Sequence, residues 1–305
     1  MSNFVKNKSP VVVGIDLGGT GTRFVVSDGA SIISRSVNRS AEIGGDVPLT
    51  SVDSLATLIE ALIPSNCELV GVGIGASGPL DLDNGVVLNP HTLPWFSDFP
   101  LVSLLSNRLA VPVRLENDAA TCALGEYRYG AGQGSSRLLV ITLGTGVGGS
   151  LVIDGNLWND HSGNHLELGH IPLGFLVEDC YCGLTGCWEM AIAREKLERR
   201  LEDLPRSVRL TDVVEILSRE DDQDVRGVLS NYGRDVGRGL EAYCVAFGPD
   251  RIVMSGGVSR YLSLFLEGIT SQFARTRGFE QKVTVVQGAL EEFGGAIGAT
   301  VLAGL

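Results

Sequence analysis

Positive charge is scarce in this sequence: 24 lysines and arginines stand against 36 aspartates and glutamates, a formal net charge of -12. That balance argues against a nucleic-acid or anionic-membrane surface, since either calls for a basic patch. It leaves room for a phosphorylated small molecule held by a local loop. Long apolar runs are missing as well. Past Lys6 and Lys8 the run Val11–Ile15 stops at Asp16, too short for the apolar region of a signal peptide. The most apolar window, residues 138–153, is interrupted by glycines and polar residues between Thr142 and Ser150, so no membrane span is expected. There is no low-complexity linker, no GxxxxGK[ST] loop, and no glycine turn that opens a helix as a Rossmann turn must. Cysteines number six, three of them clustered with a histidine, which fits a reducing compartment better than a disulfide framework and points to the cytoplasm.

What remains is an ordinary globular mixture, 44% hydrophobic and 20% charged, in 305 residues, enough for two domains or one large one. The stretch Glu167–Glu189 (ELGHIPLGFLVEDCYCGLTGCWE) holds His170, Cys180, Cys182 and Cys187 within eighteen residues. These are ligands that Zn(II) takes in a closed tetrahedral site, with Gly183 and Gly186 allowing the tight turns between sulfurs. Four protein ligands leave no open position, so such a metal holds structure and does not activate water. The alternative is a disulfide or unrelated buried thiols.

Two segments share one plan. Val11–Ile15 leads through DLGGTGTR into FVVSDG, and Leu138–Gly155 (LLVITLGTGVGGSLVIDG) repeats strand, glycine turn, strand, which suggests a duplicated architecture. Each tip can act as a phosphate cradle, with backbone N–H groups exposed at glycine and threonine hydroxyls beside them. Taken singly, either is also an ordinary hairpin turn. Asp16, ending the first strand, suits a Mg(II) ion held through water. A helix is expected over Val52–Ile63, stopped by Pro64, then a strand over Leu69–Ile74 and a turn at Asp83-Asn84-Gly85. The strand Val111–Leu115 delivers Glu116, Asn117 and Asp118 to the start of the helix AATCALGEY, where Asn117 or Asp118 can also serve as a cap. Helices are expected over Ala191–Leu204, Thr211–Leu217 and Val225–Phe247, and strands over Arg251–Met254 and Val283–Val286. A third glycine turn falls at Ser255–Val258, and a closing helix at Phe293–Leu302. Alternating strands and helices make an α/β protein.

Six motifs in order resemble the ROK family of sugar kinases and sugar-responsive repressors: GIDLGGTGTR at 14–23, LENDAATCALGE at 115–126, GTGVGGS at 144–150, ELGH at 167–170, CYCGLTGCWE at 180–189 and SGGV at 255–258. The resemblance implies an actin/hexokinase-like pair of α/β domains around a cleft. The first domain is expected over 1–116, joined by the C-terminal segment 291–305, and the second, with the zinc segment, over 117–290. It implies Asp118 as catalytic base and Asn117, Asp118, Glu167, His170, Glu189 and Gly78 as sugar contacts, with His170 serving both zinc and sugar. It further implies Asp16, Gly18, Gly19, Thr20, Thr145 and Gly146 around the phosphates of ATP with Mg2+, and Gly256 and Gly257 at the adenosine end. A homodimer is the family tendency.

The implied activity is ATP-dependent phosphorylation of a hexose 6-hydroxyl, glucose first. Thr92 beside His91, where the common pattern has an asparagine, and the loop LNPHTLPWFSDFPL, similar to that of some N-acetylmannosamine kinases, weaken a plain glucose assignment and keep an N-acetylhexosamine second. A non-catalytic sugar-sensing regulator is the alternative of another class. It is disfavoured because only ten residues precede Val11, with no basic footprint for DNA, and because Asp118 and both phosphate tips occur together.

Overall fold

The computed structural model describes residues 8–174, 176–273 and 283–304. Residues 1–7 and Leu305, which the sequence assigns to the first domain, lie outside the described residues. The chain forms two compact units. One takes the sequence up to Gln133, the segment Leu157–His165 and everything from Ala289 on; the other takes Gly134–Asn156 and Leu166–Gly288.

The first unit is a five-stranded sheet in the order β3-β2-β1-β4-β5, built from β1 (Ser9–Leu17), β2 (Gly21–Ser27), β3 (Ile32–Arg39), β4 (Cys67–Ala76) and β5 (Val113–Asn117). β1 and β2 form the expected antiparallel hairpin, with Asp16 opposite Arg23, and β1 pairs in parallel with β4. Helices α1 (Pro48–Leu62) and α2 (Leu101–Leu109) flank the sheet, and α3 (Asp118–Tyr129) leaves directly from β5. The apolar core runs from Val11, Val13 and Ile15 through Phe24, Leu55, Ile59, Ile74, Phe96 and Leu105.

The C-terminal helix Gly294–Ala303 returns to this unit and lies against β1, β4 and α3. Its approach is close enough that a Cβ at Gly14 would collide with the Ala296 carbonyl oxygen, and one at Gly73 with that of Ala299. Only glycine at those two strand positions admits the helix. Because α3 packs on this helix, the first unit extends to Gln133 and takes in a segment the sequence reading placed after the boundary at 116.

The second sheet repeats the plan with β6 (Arg137–Leu143), β7 (Val147–Ile153), β8 (Arg251–Ser255) and β9 (Thr284–Gln287), ordered β7-β6-β8-β9, with the two-residue strand Asn156–Leu157 at the edge beyond β7. Here too an antiparallel hairpin shares its first strand with a parallel run, the same order as β2-β1-β4-β5. This is the duplication that the two glycine hairpins suggest. The long helix α4 (Gln223–Phe247) packs against α5 (Leu262–Phe273), and the core gathers Leu139, Ile141, Trp188, Tyr232, Leu240, Ile252 and Phe265. Among the described residues no helix is long and apolar enough to cross a membrane.

Several elements differ from the sequence expectation. α1 begins at Pro48, four residues early, because proline at the first helical position fits the missing N–H of a helix start. The helix expected over Ala191–Leu204 is broken at Ala193, whose extended backbone separates Glu189–Ile192 from Arg194–Glu202 and sends the Arg194 N–H to the Gly144 carbonyl at 2.9 Å. Strand β3 and helices α2 and α5 have no counterpart in the sequence reading.

Candidate active site

In the first unit the candidate side chains Asp16, Asn117 and Asp118 collect at the C-terminal ends of the parallel strands, the usual location for ligand contacts in open α/β sheets. Asn117 ends β5 and caps α3: its Oδ1 accepts from the N–H groups of Ala119 (2.9 Å) and Ala120 (3.3 Å). That fixes the side chain and turns its Nδ2 toward Gly78, where a Cβ would lie 3.9 Å from that nitrogen. Asp118, half-buried at the first helical position, accepts the Ala119 N–H at 2.8 Å. The helix cap is thus Asn117, the residue immediately before Asp118.

Asp16 lies near enough to Asp118 to feel its charge. Burial first, then Asp118, raises its carboxyl from 3.8 to about 7, against the opposing pull of Arg23. The Arg23 guanidinium is 3.9 Å from Asp16 Oδ2 and 3.2 Å from Glu292 Oε2. Two carboxyls so close, with one arginine turned partly to a third, form a site short of positive charge. A hydrated divalent cation fits that deficit.

The turn between β1 and β2 is pinned from behind. The Ser40 hydroxyl donates to the Gly18 carbonyl at 2.5 Å, and the Ser40 N–H donates to the Thr20 carbonyl at 3.3 Å. Two carbonyls of the turn are thereby engaged from the side of Ser40. Gly19 backs onto Thr92, and Asn89 ties the adjoining loop together, donating to the Gly78 carbonyl (2.8 Å) and accepting the Thr92 N–H (3.1 Å).

In the second unit, Thr145 and Gly146 form the tip between β6 and β7. The turn at Gly256 and Gly257 closes against the end of β6, with the Val258 N–H donating to the Leu143 carbonyl at 3.0 Å. These four residues therefore meet at one end of one sheet, as a nucleotide cradle requires. Buried Glu189 is joined to the tip: its Oε2 accepts the Val147 N–H at 2.6 Å, and a Cβ at Gly146 would sit 2.7 Å from the same oxygen.

The cysteine segment folds as a knuckle. Pro172 bridges to Cys187 and Asp179 to Thr185, while Gly183 and Gly186 adopt φ of 91° and 81°. His170, Cys180, Cys182 and Cys187 bring one ligand atom each within 4.8 Å of the others. Cys182 Sγ is 3.5 Å from Cys187 Sγ, and Cys180 Sγ is 3.5 Å from His170 Nδ1. A disulfide needs ~2.05 Å, whereas sulfurs on one tetrahedral zinc stand ~3.8 Å apart. The spacing excludes a disulfide and is compatible with four ligands of one metal ion. With Nδ1 turned to the sulfurs, the His170 ring presents Nε2 on the other side, where it lies 3.2 Å from the Tyr181 hydroxyl.

Three participants were not foreseen. Ser40 acts on the first turn from 22 residues away in sequence, which no local pattern announces. His165 lies against Gly78, a Cβ there being 3.5 Å from its Cε1, and its charge acts on buried Glu116. Tyr181 is the one with a signal: it separates two ligand cysteines, so its side chain must emerge beside the cluster.

The sequence profile of the ROK family matches residues 12–304. A glucokinase of Halalkalibacterium halodurans is 32% identical over 281 residues, 86% of this chain and 84% of its own. A xylose repressor of Bacillus subtilis is 27% identical over 87% of this chain and 69% of its own. Among solved structures, a ROK hexokinase from Thermus thermophilus superposes with a TM-score of 0.81 at 32% identity, covering 96% of this chain and 97% of that one. A ROK glucokinase from Streptomyces griseus, in complex with glucose and AMPPNP, gives 0.77 at 28% identity, covering 96% and 99%. The two-unit α/β architecture is thus that of the ROK hexokinases, and the chain belongs to the ROK family.

Proposed function

We propose that this protein is an ATP-dependent sugar kinase that phosphorylates the 6-hydroxyl of a hexose, with glucose as first candidate. The observation that carries the reading is the pairing at the end of β5: a capping Asn117 and, beside it, an Asp118 carboxylate within electrostatic reach of half-buried Asp16. A hexose hydroxyl is a weak nucleophile. Asp118 accepts its proton as the hydroxyl oxygen bonds to the terminal phosphorus of ATP and the bond to the β-phosphate oxygen breaks, releasing ADP. Asn117, Glu167, His170 and Glu189 orient the sugar, and the two glycine tips hold the phosphates through backbone N–H groups.

Asp16 is the residue that would hold hydrated Mg2+, which when bound neutralises charge on the phosphate oxygens. His170, Cys180, Cys182 and Cys187 would hold a structural zinc ion, fixing both ends of the segment that carries Glu167 and Glu189.

A coupled assay of ADP release with ATP, Mg2+ and a panel of glucose, mannose, fructose, N-acetylglucosamine and N-acetylmannosamine tests the reading. Turnover with glucose at the highest kcat/KM is expected. Preference for an N-acetylhexosamine would reassign the sugar, and sugar binding without turnover would replace the kinase by a regulator.

A further inference from the structure

Tyr181 stands between two ligand cysteines and is 81% exposed. Its hydroxyl reaches back into the cluster: it lies 3.2 Å from His170 Nε2 and is hydrogen-bonded to Glu189, with the Glu167 charge also acting on it. One phenol thus engages two of the sugar contacts of the second unit and senses the third. The ring meets the His170 imidazole edge-on, with centroids 5.2 Å apart.

The donor and acceptor roles follow from the other ring nitrogen. His170 Nδ1 faces Cys180 Sγ at 3.5 Å, and as a ligand it presents a lone pair there. The proton then resides on Nε2, which donates to the Tyr181 oxygen, and the Tyr181 O–H in turn donates to the Glu189 carboxylate. A sugar hydroxyl held by this histidine and this glutamate needs the same arrangement, accepting from Nε2–H and donating to the carboxylate. The Val147 N–H, donating to its Oε2 at 2.6 Å, holds the Glu189 carboxylate in place for this pairing.

We propose that the Tyr181 hydroxyl stands in for a sugar hydroxyl in the sugar-free protein and is displaced when a sugar binds, so that Tyr181 sets the threshold of affinity for weakly matching sugars. This rests on the sugar-kinase reading of the same site. The phenol keeps His170 and Glu189 paired and correctly oriented while no sugar is present, and every sugar must outcompete it. A hydroxyl placed to satisfy both partners does so; a ring that reaches only one does not.

The test is calorimetric titration of glucose and N-acetylmannosamine, without nucleotide, into the wild-type protein and Tyr181→Phe, alongside kcat and KM for each. The exposed ring makes Tyr181→Phe neutral for folding, and an unchanged melting temperature verifies it. Removing a competitor worth one ordinary hydrogen bond should tighten sugar binding about 5-fold and lower KM to match, with kcat unchanged and discrimination between the two sugars reduced. Unchanged affinity in a wild type that binds sugar overturns the inference and leaves the kinase reading intact. Weaker binding in Tyr181→Phe also overturns it, showing that the phenol contacts the sugar directly. A wild type that binds none of the panel sugars refutes the kinase reading and this inference with it.

Discussion

The Asp16 carboxyl yields a pH dependence that can be worked out in advance. Burial and the neighbouring Asp118 raise it to about 7, and the side chain retains 19% exposure, enough for an ion to reach it. Cation binding requires the carboxylate. Protonation reduces the competent fraction from ~0.9 at pH 8 to ~0.1 at pH 6, so kcat/KM for the magnesium nucleotide should rise about tenfold across that interval. At pH 7 roughly half a proton should leave for each Mg2+ bound, which calorimetry in buffers of different ionisation heat measures.

Stability has the opposite sign. A carboxyl whose pKa is higher in the folded protein than the ordinary 3.8 favours the fold fully below pH 4, and that contribution is lost as pH rises through about 7. Without Mg2+ the melting temperature should therefore fall between pH 4 and 7. The upper limit of the loss is ~4 kcal/mol, reduced by whatever water reaches the exposed part of the side chain. Asp16→Asn should flatten both profiles. A wild-type kcat/KM limb centred near 4, or one that survives in Asp16→Asn, would refute the assignment.

Asp118→Asn should retain sugar and nucleotide binding by calorimetry while turnover drops by roughly two orders of magnitude or more; near-normal turnover would remove Asp118 from the role of base. Cys182→Ala, or chelation, should release about one zinc by elemental analysis and weaken sugar binding more than ATP binding, whereas unchanged sugar affinity in a folded, metal-free protein would detach the knuckle from the sugar contacts. Glu126, fully buried, accepts the N–H groups of Ala131 at 2.8 Å, Ala289 at 3.1 Å and Leu290 at 3.0 Å. Glu126→Ala should cost about 3 kcal/mol or more in urea unfolding, since three backbone donors lose their acceptor, and a cost below about 1 kcal/mol would show that water replaces it.

Much of this site was legible in the sequence because its parts are local. A strand, a glycine turn and a returning strand are adjacent residues, and the four candidate ligands of the knuckle lie within eighteen. Asn117 and Asp118 declare themselves by standing where an apolar run meets a helical one. Ser40 and His165 were not legible, because each acts on a partner brought near only by the folded sheet. Strand β3 was missed for a different reason: in IISRSVNR the inward positions are only half-buried, so its alternation carries little apolar contrast. The break at Ala193 was hidden inside a run of good helix formers, where a tertiary hydrogen bond from Arg194 to Gly144 overrides local propensity.

The return of the last helix to the first sheet has a consequence for how the chain is made. Gly14 and Gly73 leave that sheet a bare backbone face until Gly294–Ala303 covers it, and those ten residues leave the ribosome after every strand of the second unit. Synthesis therefore presents a finished second half to a first half still lacking its covering, reversing the common N-terminal-first order. A chain stopped short of Gly294 would leave that glycine face uncovered, and is expected to be a substrate for proteolysis and not a smaller working protein.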